Sequence, residues 1–280
     1  MSRRSVRAAS FVLPAVVFMV LVYALPLAGV LGQSVMEADS GRWSLAGYRE
    51  IFGSTLFYRV AWSTFLISLS ATATSLLLAF PLAYFLSRRS PRTRALLMIF
   101  VLVPFWTSVL VKAFAFTILL GQAGIVNQAL AALGLPTVRL LFNRIGVIIG
   151  MSHFLIPFMV FPILTSLLAQ PPELARAASI MGAGRLRIFL RVTLPLALPG
   201  IIAGTLLVLI LSLGFFVVPA LLGGRQDMML ANLVEFYTRE TLNWQVASAL
   251  AALLFGFAGL VAFALAKLPG GSGLLGGQEA

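Results

Sequence analysis

Apolar residues run along this chain in six long stretches, and shorter segments between them hold most of the charged residues. About 20 residues of helix cross a hydrocarbon core roughly 30 Å thick, and each stretch is long enough to do so. Strands of a membrane barrel would alternate apolar and polar residues, which runs such as residues 201–213 do not. The pattern therefore predicts an all-α polytopic membrane protein with transmembrane helices at approximately residues 10–31, 61–86, 95–119, 145–168, 196–222 and 246–268.

The composition indicates that lipid surrounds most of the chain. Of its 280 residues, 60% are hydrophobic and 10% are charged, whereas a soluble domain has about 25% charged residues. A water-soluble fold has too little interior to hide this much apolar surface. The net charge of +12 is spread in short clusters between apolar stretches, so we expect a lipid bilayer and no nucleic acid as the partner.

The first apolar stretch follows three arginines, as the apolar region of a secretory signal would. It is longer than the roughly 7–15 residues of such a region, and no small-x-small cleavage site closes it. We therefore expect an uncleaved first span. Cytoplasmic segments carry an excess of Lys and Arg. Placing both termini in the cytoplasm puts most basic residues on the inner side, with Glu173 and Glu279 as the only acidic ones there.

The segment between the fourth and fifth stretches, residues 169–195, is predicted to form a short helix, a turn and a second short helix. Two prolines suit a helix start, and Glu173 follows them in the first turn, where the helix dipole favours an anion. Gly182 is a suitable helix stop. The second helix is expected over residues 185–192.

This segment resembles the EAA loop of binding-protein-dependent ABC importer permeases. That family's pattern is Glu-Ala-Ala, three residues, Gly, and later an Ile-x-Leu-Pro-like ending. The matching residues here are Ala177, Ala178, Gly182, Thr193, Leu194, Pro195 and Pro199. The resemblance implies a coupling helix that docks into a groove on a separate ATPase subunit. An amphipathic surface helix whose arginines only set the topology is the alternative interpretation.

One position departs from the family's pattern, since Arg176 stands where the family has Glu. Glu173 lies about one helical turn earlier on the same face, and we expect it to supply the carboxylate instead. The predicted ATPase-coupling residues are Glu173, Arg176, Ala177, Ala178, Gly182 and Arg185.

From the second apolar stretch onward, the chain is similar to spermidine/putrescine-type permeases. The similarity lies at residues 104–108, 112, 120–124, 127, 157–159, 216–224 and 243–244. It implies transport of polyamines or related small organic solutes, for which composition gives no independent support.

Four side chains are candidates for the solute path. Lys112 is the only basic residue deep in an apolar stretch, where a charge is a functional candidate, although its amine could instead reach the outer interface. Trp106, Phe215 and Phe216 offer aromatic faces that attract amines, but each could also face lipid or pack between helices.

Two pairs of small residues four positions apart, Gly146/Gly150 and Gly200/Gly204, would let helices pack closely in lipid. Coincidence explains such pairs as well in a chain with 24 glycines.

Several kinds of chemistry lack the residues they need. Neither lysine follows a glycine, as a Walker A loop requires, so no ATP site is predicted on this chain. The resemblance implies ATP and Mg²⁺ on a partner ATPase and no cofactor on this chain. With no cysteine and one histidine, His153, no metal site is predicted. Side chains of adjacent helical residues point about 100° apart, so Ser152 and His153 are a poor nucleophile–base pair.

Together these features predict a permease subunit of an ATP-driven importer in a bacterial inner membrane, and not an enzyme. The partners that the resemblance implies are two P-loop ATPase subunits, a second permease chain and an extracytoplasmic solute-binding protein. None of the eight acidic residues lies in a predicted span, which disfavours a secondary transporter. A channel or transporter working without an ATPase and a membrane-embedded enzyme are the alternatives.

Overall fold

The structure of the protein is a computed structural model that describes residues 13–37 and 41–266. Their regular secondary structure is helical, apart from one isolated antiparallel bridge between Met36 and Trp43. Six of the described helices are long and apolar enough to cross a membrane. The predicted all-α membrane fold is therefore confirmed.

The helices are, in chain order, α1 (Leu13–Ser34), α2 (Ala46–Gly53), α3 (Thr55–Ser87), α4 (Pro91–Trp106), α5 (Val109–Leu120), α6 (Ile125–Ala132), α7 (Arg144–Leu168), α8 (Pro172–Ile180), α9 (Arg185–Leu213), α10 (Val217–Leu222), α11 (Leu230–Arg239) and α12 (Trp244–Ala266). The described residues separate into two compact units. The first holds residues 13–37, 41–58 and 233–256, and the second holds residues 59–232 and 257–266.

In the first unit, polar side chains of α12 form hydrogen bonds to α1 and to the segment just before α2. The Gln245 side-chain amide donates to the Ser44 carbonyl oxygen over 3.1 Å, and the Ser248 hydroxyl donates to the Gln33 side-chain oxygen over 3.4 Å. The most apolar window of α1 is 0% buried. Because that surface would be unfavourable in water, it fits contact with lipid or with another subunit.

Helix α7 is the centre of the second unit. Of the candidate spans it is the most enclosed, with 56% of its most apolar window buried, and it packs against α4, α5, α9 and α10. Met151, Leu155, Met159 and Ile163 are fully buried. Their four-residue spacing places them along one face of the helix, and the core of the unit follows that face.

Glycines allow α9 to lie close to α7. A Cβ atom at Gly200 would collide with the carbonyl oxygen of Pro162 and the Cβ of Ser166, and one at Gly204 would lie 3.0 Å from the sulfur of Met159. Small residues at such crossings let two backbones approach. The predicted packing role of the Gly200/Gly204 pair is confirmed.

The apolar segment 95–119, predicted as one span, is divided between α4 and α5. The backbone is extended at Thr107 (ψ 144°) and at Ser108 (ψ 137°). Pro104 has no N–H to donate to the last turn of α4, and the Thr-Ser pair that follows favours local hydrogen bonds over a continuing helix. The candidate span in this region is Val109–Ala132, which contains α5 and α6.

The second short helix expected over residues 185–192 is the first part of the long helix α9. A proline ring clashes with the carbonyl four residues earlier in a regular helix, so Pro195 was expected to follow a helix end. The structure instead forms a wider π-helical turn at Phe189–Thr193, in which the Leu194 N–H donates to the Phe189 carbonyl. This wider turn accommodates the proline and lets the helix continue.

The apolar segment 196–222, predicted as the fifth span, is interrupted after Leu213, and its last residues form α10. Non-helical backbone in an apolar segment needs hydrogen-bond partners inside the protein. The side-chain amide of Asn232 donates to the Phe216 carbonyl over 3.0 Å. The same carbonyl accepts from the Ala220 N–H over 3.1 Å, so a side chain from α11 adds a second donor at the start of α10.

An ion pair between the buried Asp227 and the more exposed Arg144, whose side chain is 40% exposed, joins the turn after α10 to the start of α7. The carboxylate of Asp227, which is 6% exposed, accepts from the Arg144 Nε over 3.2 Å and from the Gly224 N–H over 3.1 Å. Removing one partner of such a pair would leave a buried charge uncompensated. The pair therefore holds this turn against α7.

We expect Gly200→Ala to destabilise the protein, because its methyl group has no space between α9 and α7. Inserting a methyl into a packed contact costs about 1–3 kcal/mol, and the measurement is the thermal unfolding midpoint of the purified protein in detergent. The control is Gly256→Ala on α12, where an added Cβ meets no atom within 4 Å. Equal midpoints for the two variants would contradict the close crossing.

Candidate functional site

Helix α8 has well-defined ends. Pro172 opens it, at a position where the missing N–H costs nothing. At its other end Gly182 has φ +80°, its N–H donates to the Ser179 carbonyl, and the Ala183 N–H donates to the Ala178 carbonyl, each over 3.0 Å. These two bonds form a Schellman motif, whose left-handed position favours glycine. The helix therefore ends at Gly182, as the sequence predicts.

Most of α8 is exposed. Only Ala178 is buried, at 8% exposure, whereas Ile180 is 86% and Met181 is 80% exposed. Leu186, beyond the turn, is also largely exposed. Ile180, Met181 and Leu186 are here called the apolar tip. Exposed apolar groups of this kind mark surfaces that another molecule covers.

The charges on α8 do not neutralise each other. Both Glu173 and Arg176 are exposed, and neither forms a salt bridge with any residue that the structure describes. Both charges are therefore available to an external partner. The assignment of the coupling carboxylate to Glu173 stays a prediction.

Two of the predicted coupling arginines meet a third one that sequence reasoning missed. Arg88, just after α3, lines a groove of about 300 Å³ together with Arg176 and Arg185. The Arg88 guanidinium donates to the Tyr84 hydroxyl over 3.0 Å and lies 4.9 Å from that ring's centroid. The only sequence signal was the basic cluster at residues 88–94, which was assigned to topology alone.

Lys112 bridges the break between α4 and α5. Its amine donates over 2.8 Å to the carbonyl oxygen of Pro104, which also accepts from the Thr107 hydroxyl over 2.8 Å and the Thr107 N–H over 3.3 Å. The positive charge thus lies at the carboxyl end of α4, where the helix dipole favours a cation. Lys112 is half-buried and contacts the backbone of the preceding helix.

The same amine also touches a group of aromatic rings. Lys112 Nζ lies 4.3 Å from the centroid of the Phe154 ring, within the range of a cation–π contact. Phe154 packs against Phe215 at 5.1 Å and Phe158 at 5.9 Å, and Phe158 packs against Phe105 at 5.5 Å between centroids. These four phenylalanines are here called the aromatic cluster.

The other predicted path residues lie at or outside the edge of this cluster. Trp106 is 82% exposed and touches Phe105 edge-on at 6.1 Å. Phe216 is about one-third exposed and makes no ring contact with the described residues. The structure therefore brings Lys112 and Phe215 together, with Trp106 beside them, and leaves Phe216 apart.

Ser152 and His153 contact different helices. The Ser152 hydroxyl donates to the Ala71 carbonyl of α3 over 3.4 Å, whereas the His153 ring packs against Phe116 of α5 at 5.2 Å between centroids. A nucleophile and its base must be within hydrogen-bond reach of each other. This arrangement suits helix packing and not hydrolysis.

Replacing Lys112 with Met should loosen the break between α4 and α5, because the Pro104 carbonyl loses its charged donor. A hydrogen bond to a charged group contributes about 1.5–3 kcal/mol. We expect faster hydrogen–deuterium exchange at the Thr107 amide, measured by mass spectrometry of the protein in nanodiscs. Lys112→Arg, which keeps a charged donor, is the control, and exchange unchanged in Lys112→Met would contradict the bridging role.

Comparison with known proteins agrees with this architecture. Residues 75–268 match the family described as "Binding-protein-dependent transport system inner membrane component". The spermidine/putrescine transport system permease protein PotB of Haemophilus influenzae is 35% identical over 227 residues, which cover 79% of each chain. PotB of Escherichia coli is 32% identical over 251 residues, covering 87% of this chain and 91% of that protein.

A solved structure shows the same fold. A chain from the crystal structure of a bacterial ABC transporter that imports the acidic polysaccharide alginate superposes with a TM-score of 0.75, at 18% identity, over 95% of this chain and 97% of that one. The family match covers more than half of the present chain. This chain therefore belongs to the inner membrane components of binding-protein-dependent transport systems, and it is a permease subunit of an ABC importer.

Proposed function

We propose that this permease imports polyamines or related small organic amines and that α8 couples it to a separate ATPase. The substrate class is supported by the 32–35% identity to spermidine/putrescine permeases over most of the chain. The observation that carries the coupling role is the exposed apolar tip beside the firmly capped end of α8. An isolated surface helix would have no reason to present these side chains to water.

The proposed assembly contains two P-loop ATPase subunits that bind ATP and Mg²⁺, a second permease chain and an external solute-binding protein. In this assembly α8 and the basic end of α3 lie on the cytoplasmic side, and so do both termini. Support comes from the arginines near α8, because cytoplasmic segments are rich in basic residues. Glu173 and the groove arginines are the proposed polar contacts with the ATPase.

A mechanical route leads from α8 to the aromatic cluster. Helix α8 contacts the first residues of α9 and its π-helical turn at Phe189–Thr193, and α9 packs along α7. Helix α7 carries Phe154 and Phe158 of the cluster. Movement of α8 with the ATPase would thus displace α9, and α9 would displace α7, alternately opening the path to each side. Packed helices of this kind transmit displacements because interiors are poorly compressible.

The solute is proposed to pass the exposed aromatic faces of Trp106, at the edge of the cluster, and of Phe216, which lies apart from it. Trp106 and Phe216 are both accessible, and aromatic faces attract amines. The Lys112 amine already occupies a face of Phe154 and repels other cations. A cationic solute would therefore contact Trp106 and Phe216 and pass by the inner rings.

Cysteine cross-linking tests the coupling proposal, since the chain has no native cysteine. Met181→Cys, at the apolar tip, should cross-link to the ATPase subunit in the assembled transporter. Leu133→Cys is an equally accessible control that precedes α7, at the opposite end of that helix from α8. It should not cross-link to the ATPase. The measurement is a cross-linked gel band of higher mass whose peptides include the P-loop of the ATPase subunit.

A transporter or channel that works without an ATPase would give a different result. Vesicles that contain this chain without an ATPase would then show gradient-driven uptake of labelled putrescine. Met181→Cys would capture no P-loop subunit. Either result would contradict the proposed coupling.

Gly182→Ala should uncouple ATP hydrolysis from transport, because alanine is strained at φ +80° by about 1–2 kcal/mol. The Schellman end of α8 would open and the apolar tip would lose its position. We expect a several-fold loss of solute-stimulated ATPase activity in proteoliposomes. Gly184→Ala is the matched control, since Gly184 has φ −68° and an added Cβ meets no atom. Equal losses in both variants would contradict a role for the helix end.

A further inference from the structure

Five arginines line two neighbouring grooves at the α8–α9 turn. Arg88, Arg176 and Arg185 line the groove of about 300 Å³, and Arg185, Arg187 and Arg191 line a second one of about 560 Å³. The salt bridges found among the described residues are Arg144–Asp227 and Arg239–Glu235, so no carboxylate in that part of the chain neutralises any of the five. They are here called the arginine grooves.

The start of α9 adds positive charge to the same place. Helix α9 is 29 residues long and begins at Arg185, and Gly184 before it supplies no side-chain cap. The first N–H groups of a helix lack intrahelical partners, and the helix dipole makes this end attractive to anions. Guanidinium groups without a carboxylate partner and the first N–H groups of α9 thus lie at one surface, which calls for an anionic partner.

The apolar tip indicates which kind of anionic partner binds the arginine grooves. Ile180, Met181 and Leu186 are largely exposed next to the arginine grooves, and Leu186 itself lines the larger groove. Free phosphate would neutralise the arginines and leave the apolar tip in water. A protein surface that combines an apolar pocket with carboxylates would satisfy both.

An anionic membrane surface fits less well. A helix that lies on lipid presents an apolar face along its length, opposite a basic face. Helix α8 has only nine residues, which is fewer than three helical turns along which such a face could extend. Its most exposed apolar groups, Ile180 and Met181, lie at the carboxyl end, and only Leu174, at 46% exposure, adds an exposed apolar group near the start.

We propose that the arginine grooves bind aspartate or glutamate side chains of the ATPase subunit, which surround an apolar pocket for the tip of α8. This inference rests on the proposed coupling function and specifies the chemistry of the partner surface. Arg176 is exposed and forms no salt bridge with a described residue, so the position that faces it on this partner carries a carboxylate.

The test is charge reversal in the transporter assembled with its ATPase in nanodiscs. Arg176→Glu and Arg185→Glu should each weaken ATPase binding roughly tenfold or more at low salt, because like charges then face each other. The loss should shrink at high salt, and Arg176→Gln should show a smaller loss. Arg92→Glu is the matched control: it makes the same charge change in the basic cluster after α3, outside both grooves, and should bind normally.

The decisive arm is rescue. Acidic residues of the ATPase are identified by photo-cross-linking from position 176, and their replacement with Arg should restore binding of Arg176→Glu while weakening that of the wild-type permease. Normal ATPase binding by both Glu variants would overturn the inference. A second result would also overturn it: the Glu variants in nanodiscs, without ATPase, lose binding to phosphatidylglycerol vesicles while their ATPase binding is unchanged. That result would assign the arginines to lipid.

Failure of the proposed function has a separate signature. If the wild-type permease binds no ATPase and Met181→Cys captures none, the coupling role itself is wrong. If Met181→Cys captures the ATPase and the charge reversals have no effect, only the acidic partner surface is wrong.

Discussion

Backbone groups within an apolar segment cannot form hydrogen bonds to lipid, and this constraint accounts for several side-chain contacts at helix ends of the second unit. Three polar side chains contact the backbone where helices of this unit are interrupted. Lys112 donates to the Pro104 carbonyl at the end of α4, Asn232 donates to the carbonyl before α10, and Asp227 accepts from the Gly224 N–H after α10. These contacts stabilise the interrupted segments, which supply Phe105 and Phe215 to the aromatic cluster.

The same constraint explains how far the sequence predicted the fold. Length and hydropathy were sufficient for the helical class and the number of candidate spans, because crossing a bilayer requires long apolar helices. They could not show that residues 95–119 divide at Thr107, since hydropathy does not distinguish a straight helix from one whose break is bridged by Lys112. The opposite error occurred at Pro195: the sequence predicted a helix end before it, whereas the helix continues because a wider turn at Phe189–Thr193 accommodates the proline.

Local chemistry made α8 more predictable than the solute path. Its prolines and Gly182 act over a few residues, so the helix start and stop could be inferred from neighbours in sequence. The groove that joins Arg88 to Arg176 and the contact between Lys112 and Phe154 depend on residues far apart in the chain. Single-sequence reasoning has no signal for such pairs, and Arg88 was accordingly interpreted only as a topology determinant.

The wider turn at Phe189–Thr193 also alters how α9 presents its surfaces. One additional residue in a turn rotates everything beyond it by about 100° relative to a regular helix. A helical wheel drawn continuously from Arg185 to Leu213 therefore assigns residues to the wrong side on one half of the helix. The side that carries Arg185 continues, past the turn, along positions displaced by one residue from the regular 3.6-residue repeat.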